Sequence, residues 1–175
     1  MAKNITAKMN DVRIAFTGPE SSGKTTMSKW LSEQLSFDFV NEYAREYLSK
    51  KTDYNLEDLN KIAIEQYRRN DASGNLVIDT EMLVMKVWCE EKYNSCSDQI
   101  LEFFGRQKID FYFLCKPDIP WKYDPLRENP LDRDRLFMKY EENLNEQGYD
   151  YAVLEGTLLE RQEMIIETVQ NRLLR

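Results

Sequence analysis

Residues 18–25 read Gly-Pro-Glu-Ser-Ser-Gly-Lys-Thr, which is the G-x-x-x-x-G-K-[ST] pattern of a phosphate-binding loop. An apolar, β-type segment at 12–17 precedes this loop. A segment at 26–35 follows it, with Met27, Leu31 and Leu35 spaced as one stripe of a helix. Strand, glycine-rich turn and helix is the local order that such a loop requires. The sequence therefore predicts a nucleoside triphosphate site within an α/β domain.

Each residue type in this loop has a role in binding phosphate or its metal ion. Gly18 and Gly23 permit a tight backbone path that side chains would block. The backbone amides of residues 21–25 can then point toward a β-phosphate at the N-terminus of a helix. The Lys24 ammonium group reaches the β- and γ-phosphates, and the Thr25 hydroxyl is a ligand for Mg²⁺. We therefore expect ATP and Mg²⁺ as cofactors, with the nucleotide bound by Gly18, Pro19, Glu20, Ser21, Ser22, Gly23, Lys24, Thr25 and Thr26.

Composition excludes several other classes of site. The chain has 175 residues, enough for one domain, and a net charge of −7 with scattered basic residues, so nucleic acid is not expected as a partner. Histidine is absent, which excludes Ser-His-Asp hydrolysis and leaves acid–base work to carboxylates, lysine, tyrosine or water. Three widely spaced cysteines, no signal peptide and no membrane-length apolar run favour a reduced, cytoplasmic protein without a membrane partner.

The pattern of apolar residues alternates between strand and helix. Strands are predicted at 12–17, 37–40, 76–78, 109–115 and 151–154. Helices are predicted up to residue 35 and at 42–50, 56–69, 81–93, 99–104, 131–147 and 157–174, with Gly105 and Gly148 ending the fifth and sixth. This order predicts a three-layer α/β P-loop NTPase fold with a five-stranded parallel sheet in the order 2-3-1-4-5. We expect a flexible N-terminus at 1–10 and a single domain at 11–175, with a lid at about 116–148.

Two carboxylates follow predicted strands, at the sheet edge where ligands collect. Asp79 ends the apolar run 76–78, so we expect it to face Thr25 and hold Mg²⁺; the alternative is a helix N-cap, which Asp79 or Thr80 can also supply. Glu42 comes just after the second strand, where an acidic residue can take the proton of an acceptor hydroxyl. The alternative interpretation is that Glu42 is an acidic residue in the first turn of a helix, where the helix dipole favours it. The predicted catalytic set is Lys24, Glu42, Asp79 and Arg127.

Residues that can hold an acceptor flank these carboxylates. Trp88, on the helix after Asp79, is either a ring-stacking residue or a core aromatic. The segment 116–130 contains four of the five prolines and is dense in aromatic and charged side chains. Its aromatic rings can stack on a planar base, and its carboxylates can bind ribose hydroxyls. The predicted substrate-binding residues are Tyr43, Arg45, Trp88, Trp121, Tyr123 and Asp124.

Three arginines in and after this segment can close over a transferring phosphoryl group. They are Arg127, Arg133 and Arg135, and such a lid excludes water and neutralises developing charge. The alternative is a surface loop followed by a solvated helix. That alternative is stronger for Arg133 and Arg135, because Asp132 and Asp134 adjoin them.

Four segments occur together and in order: Gly-Pro-Glu-Ser-Ser-Gly-Lys-Thr-Thr at 18–26, Asn-Glu-Tyr-Ala-Arg-Glu-Tyr-Leu at 41–48, Ile-Asp-Thr-Glu with Lys-Val-Trp at 78–81 and 86–88, and Pro-Asp-Ile-Pro-Trp through Asp-Pro-Leu-Arg-Glu-Asn-Pro at 117–130. With these segments the chain resembles the ribosylnicotinamide kinase domain of the bacterial NadR-type proteins. The resemblance runs from Arg13 to about Arg161. The phosphate-binding loop alone is shared by many proteins, whereas the four segments together are specific.

The resemblance implies ATP-dependent phosphorylation of the ribose 5′-hydroxyl of nicotinamide riboside, giving nicotinamide mononucleotide in NAD salvage. It places Trp88 and the region 121–123 at the nicotinamide ring, Asp124 near the ribose, Glu42 or Asp79 nearest the reacting hydroxyl, and Arg127 in the lid. NadR-type proteins usually also carry a DNA-binding region and an adenylyltransferase domain, so this chain is expected to be a stand-alone kinase domain or one cut from a larger protein. The alternatives are a kinase for another nucleoside or small hydroxyl substrate, and a nucleotide-sensing regulatory P-loop ATPase.

Overall fold

A five-stranded parallel sheet forms the centre of the molecule in a computed structural model, which describes residues 11–51, 53–128 and 130–173. Its strands run in the order β2-β3-β1-β4-β5, as the sequence predicts. All neighbouring pairs are parallel, so the carboxyl ends of all five strands meet at one edge. The predicted flexible segment 1–10 lies outside the described residues. The strands are β1 (Arg13–Thr17), β2 (Asp38–Val40), β3 (Leu76–Ile78), β4 (Phe111–Cys115) and β5 (Tyr151–Leu154).

Seven helices within the described residues cover both faces of this sheet. They are α1 (Lys24–Leu35), α2 (Tyr43–Leu48), α3 (Leu56–Asn70), α4 (Met82–Tyr93), α5 (Asp98–Arg106), α6 (Arg133–Gln147) and α7 (Leu158–Arg172). Helices α1 and α7 lie on one face, and α2 to α6 contribute to the core on the other. The result is the predicted three-layer arrangement.

Alternation along β1 shows how the sequence produces the two cores. Ile14 and Phe16 point to the layer of α1 and α7, where they pack with Ile165. Ala15 points the other way, into the core that holds α3 and α4. All five residues of β1 are buried, as expected for a central strand covered on both faces.

Several predicted helix boundaries differ from the structure; α2, for example, spans Tyr43–Leu48 rather than 42–50. Helix α5 does not stop at Gly105 but continues to Arg106 and is capped by Gln107, because Gly105 keeps a helical backbone in open surroundings. A glycine inside a helix costs only about 1 kcal/mol, which the packing of Phe104 offsets. Helix α6 begins at Arg133 rather than at Leu131, which is 98% exposed. Gly148 does end α6, in the left-handed conformation.

Helix α7 packs on the sheet through only some of its apolar residues. Ile165 and Val169 are buried against the sheet, but Leu158 is 55% exposed. The buried residue in the first turns of this helix is Arg161, a basic residue that the apolar pattern does not include. In the part of the chain that the structure describes, no helix is both long and apolar enough to cross a membrane.

Candidate functional site

The loop between β1 and α1 has the backbone shape of an anion-binding concavity. Gly18 has a φ of +123°, and a Cβ atom there would lie 2.7 Å from the carbonyl oxygen of Cys115 at the end of β4. Ser21 and Gly23 also lie in the left-handed region, at φ values of +52° and +91°. Helix α1 starts directly after Gly23 without a side-chain cap, so the amides of its first turn have no intrahelical acceptor. Such a loop and helix terminus together attract phosphate.

The ammonium group of Lys24 lies against the backbone of this loop. Its Nζ atom donates hydrogen bonds to the carbonyl oxygens of Gly18 and Pro19, both at 2.7 Å. The Ser22 hydroxyl donates to the same Pro19 carbonyl oxygen at 2.7 Å. A phosphate oxygen is a stronger acceptor for an ammonium group than a peptide carbonyl. Lys24 can therefore exchange these carbonyls for a phosphate without leaving the loop.

The predicted pairing of Thr25 with Asp79 is present in the structure. The Thr25 hydroxyl donates to Asp79 Oδ2 at 2.8 Å, across the gap between α1 and the end of β3. Asp79 is 2% exposed, and its Oδ1 atom makes no hydrogen bond within the described residues. Burial raises the pKa of this carboxyl group. A hydroxyl and an unpartnered carboxylate oxygen are ligands that Mg²⁺ prefers, so these residues fit the ion.

Asp79 is not the cap of the next helix, which was the alternative interpretation. The N-cap of α4 is Glu81, whose carboxylate accepts hydrogen bonds from the amides of Leu83 at 2.6 Å and Val84 at 3.3 Å. Glu81 is fully buried and also accepts from the Thr17 hydroxyl at 2.8 Å. It thereby ties the end of β1 to α4 and frees Asp79 for the site. The signal for this cap in the sequence is weak, because short polar residues are the usual choice.

Glu42 lies next to Asp79 on the neighbouring strand connection. Val40 pairs with Ile78 in the sheet, so the residues that follow β2 and β3 emerge side by side. Glu42 occupies the N-cap position of α2 but makes no capping hydrogen bond. Its carboxylate instead accepts from Arg45 Nε at 2.8 Å. Burial raises the pKa of Glu42 and the nearby Asp79 adds to this effect, while Arg45 opposes it.

One cavity joins the loop, the two carboxylates and an aromatic wall. At one end are the loop residues 18–26, and beside them lie Glu42, Arg45 and Asp79. Trp88 lines the other end, where its indole N–H donates to the Tyr54 hydroxyl at 2.9 Å. The predicted Arg127 also lines the cavity. The remaining wall, which the sequence did not predict, is formed by Thr80, Val84, Val87, Glu91, Lys92, Leu126, Glu128, Leu136 and Tyr140.

Four of the predicted substrate-binding residues do not line this cavity. Tyr43 packs against the core beside α3, with the Arg69 guanidinium 4.4 Å from its ring centre. Tyr123 is 84% exposed. The Trp121 ring lies beneath two arginine side chains, and Asp124 accepts a hydrogen bond from Arg45 Nη1 at 2.7 Å. Arg45 is thus held between Asp124 and Glu42, at the rim of the cavity.

The segment after β4 is fastened to several residues in and around the cavity lining. Glu128 Oε1 accepts from the Tyr54 hydroxyl and from Lys92 Nζ, both at 2.8 Å. The Ser21 hydroxyl accepts from the amide of Lys122 at 3.1 Å. Together with the Arg45–Asp124 ion pair, these bonds connect the segment to the phosphate-binding loop and to the walls around it. These contacts hold the segment against the residues that line the cavity.

Arg133 and Arg135 differ in their contacts. Arg135 pairs with Asp132 at 2.6 Å and with Glu91, which agrees with the surface interpretation. Hydrogen bonding to Arg135 lowers the pKa of Glu91 to about 2. Arg133 instead donates from Nη1 to the carbonyl oxygen of Ser21 at 3.0 Å and to that of Ile119 at 3.1 Å. The expectation that neighbouring acids neutralise Arg133 was therefore wrong, because its side chain reaches the phosphate-binding loop.

Comparison with known proteins places the chain among P-loop proteins. The sequence profile of a family described as an AAA domain matches residues 13–161. Among curated proteins, a cytidylate kinase of Streptococcus agalactiae is 28% identical over 100 residues, which are 51% of this chain and 44% of that protein. A cytidylate kinase of Streptococcus equi subsp. equi is 35% identical over 65 residues, 35% of this chain and 29% of that protein.

Solved structures support the same fold. A NadR protein in complex with NAD and AMP-PNP has a TM-score of 0.72 at 21% identity, covering 93% of this chain and 49% of that chain. Deoxyadenosine kinase from M. mycoides has a TM-score of 0.64 at 14% identity, covering 91% of this chain and 100% of that chain. The chain thus spans about half the length of the NadR protein and less than half of the cytidylate kinases. The resemblance to NadR-type domains is confirmed at the level of the fold.

Proposed function

The chain belongs to the AAA domain family of P-loop proteins, and we propose that it is an ATP- and Mg²⁺-dependent kinase for nicotinamide riboside. The reaction transfers the γ-phosphoryl group of ATP to the ribose 5′-hydroxyl and yields nicotinamide mononucleotide. One observation carries the proposal. A single cavity contains the phosphate-binding loop, a buried carboxylate with an unpartnered oxygen, a second carboxylate and an aromatic wall. The loop, a metal-binding carboxylate and a second carboxylate are the groups that phosphoryl transfer to a hydroxyl uses, and the aromatic wall offers a surface for a base.

The donor end of the cavity consists of the loop and the metal ligands. The amides of the loop and Lys24 bind the phosphates and orient the γ-phosphoryl group. Thr25 and Asp79 would hold Mg²⁺, which supplies charge neutralisation at the phosphates when bound. Arg127 lines the cavity from the lid and adds positive charge there.

We assign proton acceptance to Glu42 rather than to Asp79. Asp79 already accepts from Thr25, and its unpartnered oxygen would bind Mg²⁺, whereas Glu42 is held only by Arg45 among the contacts described. Burial shifts the pKa of Glu42 upward, toward neutral pH, which suits a group that must take a proton from an alcohol. Arg45 fixes the orientation of the carboxylate.

The acceptor end of the cavity is assigned to the nucleoside. Trp88, positioned by Tyr54, offers a flat ring for the base, and the apolar wall beyond it excludes water. A NadR protein solved in complex with NR, with a TM-score of 0.73 at 19% identity and covering 93% of this chain and 50% of that chain, supports nicotinamide riboside. We further propose that 116–148 acts as a lid and that the protein works in the cytoplasm with its three cysteines reduced.

The second candidate is a kinase for another nucleoside or nucleotide. The similarity to cytidylate kinases and to deoxyadenosine kinase favours it, because aromatic stacking does not select one base. Both candidates share the donor site and differ only in the acceptor.

Product analysis tests the proposal. The protein is incubated with Mg-ATP and nicotinamide riboside, and nicotinamide mononucleotide is detected by mass spectrometry. The control is Lys24→Met, with Lys29→Met as the matched exposed lysine on the same helix. We expect product with the wild type and Lys29→Met only. Product from cytidine or deoxyadenosine but not from nicotinamide riboside would favour the second candidate.

A further inference from the structure

A buried arginine joins three loops at the carboxyl edge of the sheet. Arg161 of α7 is 2% exposed. Its Nε atom donates to the carbonyl oxygen of Gly156 at 3.0 Å, and Nη2 donates to that of Lys116 at 3.0 Å. Its Nη1 atom donates to the carbonyl oxygen of Ser22, within the phosphate-binding loop, at 2.7 Å. The guanidinium group therefore holds the turn after β5, the start of the lid segment and the phosphate-binding loop at once.

Asp118 orients this guanidinium group. Its Oδ1 atom pairs with Arg161 Nη2, and its Oδ2 atom accepts from the amide of Gly156 at 2.7 Å. A buried arginine is stable when it is paired and hydrogen-bonded; here it is paired with Asp118, and each of its three side-chain nitrogen atoms donates at least one hydrogen bond. The planar fork also fixes the directions of all its hydrogen bonds, which a lysine cannot do.

The hydrogen bond from Arg161 to the Ser22 carbonyl oxygen also affects the N–H group of the same peptide, which belongs to Gly23. In a planar trans peptide, the carbonyl group and the following N–H group point in opposite directions. Holding the Ser22 carbonyl oxygen toward Arg161 therefore turns the Gly23 amide away from Arg161. Arg133 acts in the same way one residue earlier, because it binds the Ser21 carbonyl oxygen and so turns the Ser22 amide.

Space around Gly23 supports the same role. A Cβ atom at Gly23 would lie 3.3 Å from Arg161 Nη1, so the guanidinium group is in close contact with the loop backbone. Arg161 is fixed in the body of the domain, whereas Arg133 belongs to the lid segment. The fixed contact can set the loop amides before any nucleotide binds, which reduces the reorganisation needed on binding.

We propose that Arg161, oriented by Asp118, is a positioning residue that fixes the amides of the phosphate-binding loop for the β-phosphate of the nucleotide. Arg161 does not touch the nucleotide in this role. It acts through the Ser22–Gly23 peptide. The inference rests on the proposed function, because it requires a nucleoside di- or triphosphate in the loop.

Arg161→Lys tests the inference, because lysine keeps the charge but cannot reach four acceptors in three segments. The Kd of ADP with Mg²⁺ is measured by calorimetry for the wild type, Arg161→Lys and the control Arg172→Lys, an exposed arginine of the same helix. We expect ADP to bind Arg161→Lys at least about tenfold more weakly than the wild type, which is the size of effect that losing one charge-assisted hydrogen bond has. We expect no change in the Kd for Arg172→Lys.

Kinetics separate positioning from a purely structural role. A positioning role raises the KM for ATP and leaves the KM for the acceptor unchanged. A structural role lowers the amount of active protein, so the apparent kcat falls while both KM values stay the same. That second pattern would overturn the inference.

Asp118→Asn keeps the test possible should Arg161→Lys not fold, because Asp118 is only partly buried. We expect a smaller weakening of ADP binding in the same direction. Unchanged ADP binding in a folded Arg161→Lys or Asp118→Asn variant would overturn the inference and leave the proposed function standing. No ADP binding by the wild-type protein would overturn both.

Discussion

Replacing Asp79 by asparagine should make the protein more stable and less active. Asp79 is 2% exposed, its Oδ1 atom has no hydrogen-bond partner within the described residues, and its pKa is raised above the ordinary value of 3.8 by burial. When this carboxyl group is ionised, the folded protein therefore carries a poorly solvated charge. In Asp79→Asn the side-chain carbonyl oxygen would still accept the bond from Thr25, so the substitution removes the charge and keeps that contact.

The expected gain follows from the cost of an unsatisfied buried group, which is about 1–3 kcal/mol. The new amide nitrogen takes the place of Oδ1 and also lacks a partner, so only part of this cost is removed. We expect a gain of about 1–2 kcal/mol in the free energy of unfolding. For a chain of this length, 1 kcal/mol shifts Tm by about 2–4 °C, which gives an increase of about 2–8 °C.

The pH dependence has a defined sign. A carboxyl group with a raised pKa in the folded state favours folding only while it is protonated. Its contribution is present below the unfolded pKa and is lost as pH rises through the folded pKa. The Tm difference between Asp79→Asn and wild type should therefore be largest at neutral pH and shrink toward about pH 4. Asp150→Asn, at an exposed position, should show no such trend.

Thermal melting with and without ligand completes this test. Mg-ADP at about 100 times its Kd stabilises the wild type by about 2.7 kcal/mol. Removing Mg²⁺ with a chelator should reduce this stabilisation in the wild type but leave it unchanged in Asp79→Asn. Two results would refute the role assigned to Asp79. One is a lower Tm for Asp79→Asn than for the wild type without ligand. The other is a stabilisation of Asp79→Asn by ADP that depends on Mg²⁺ as fully as in the wild type.

Three further predictions concern turnover. Lys24→Met should lower kcat at least about a hundredfold, since it removes the charge that binds the transferring group, and near-normal turnover would contradict this role. Glu42→Gln should lower kcat by about 10²–10⁴. It should also abolish the acidic limb of the pH–kcat profile, because a protonated Glu42 with its raised pKa cannot accept a proton; a retained limb would point to another base. Trp88→Ala should raise the acceptor KM about tenfold with little change in the KM for ATP, and Trp121→Ala should raise it less; the reverse order would place the ring at Trp121.

The features of the fold that have local signals were predictable. The loop at 18–25 follows a strand and opens a helix, and the apolar run 76–78 became β3 with the predicted limits. Gly148 ended α6 as expected, because a left-handed residue after a helix favours glycine. Asp79 was expected near Thr25 because both follow adjacent strand ends, and the two side chains form a hydrogen bond.

The features that depend on tertiary contacts were not predictable. Arg161 interrupts an apolar helix face, and only the three loops around it explain why it is buried. Tyr43 adjoins Glu42 in sequence, but its ring packs against the core beside Arg69 of α3 and does not line the cavity. Glycine is a residue that often ends a helix, yet Gly105 stays helical because the helix around it packs through the buried Phe104.

The kcat/KM values for a panel of acceptors test the central claim most directly. ADP release from Mg-ATP is followed with nicotinamide riboside, with cytidine, with deoxyadenosine, with cytidine monophosphate and without an acceptor. We predict strong stimulation by nicotinamide riboside, with a value at least about a hundredfold above those of the other acceptors. ADP release that no acceptor stimulates would contradict a kinase and favour a regulatory ATPase.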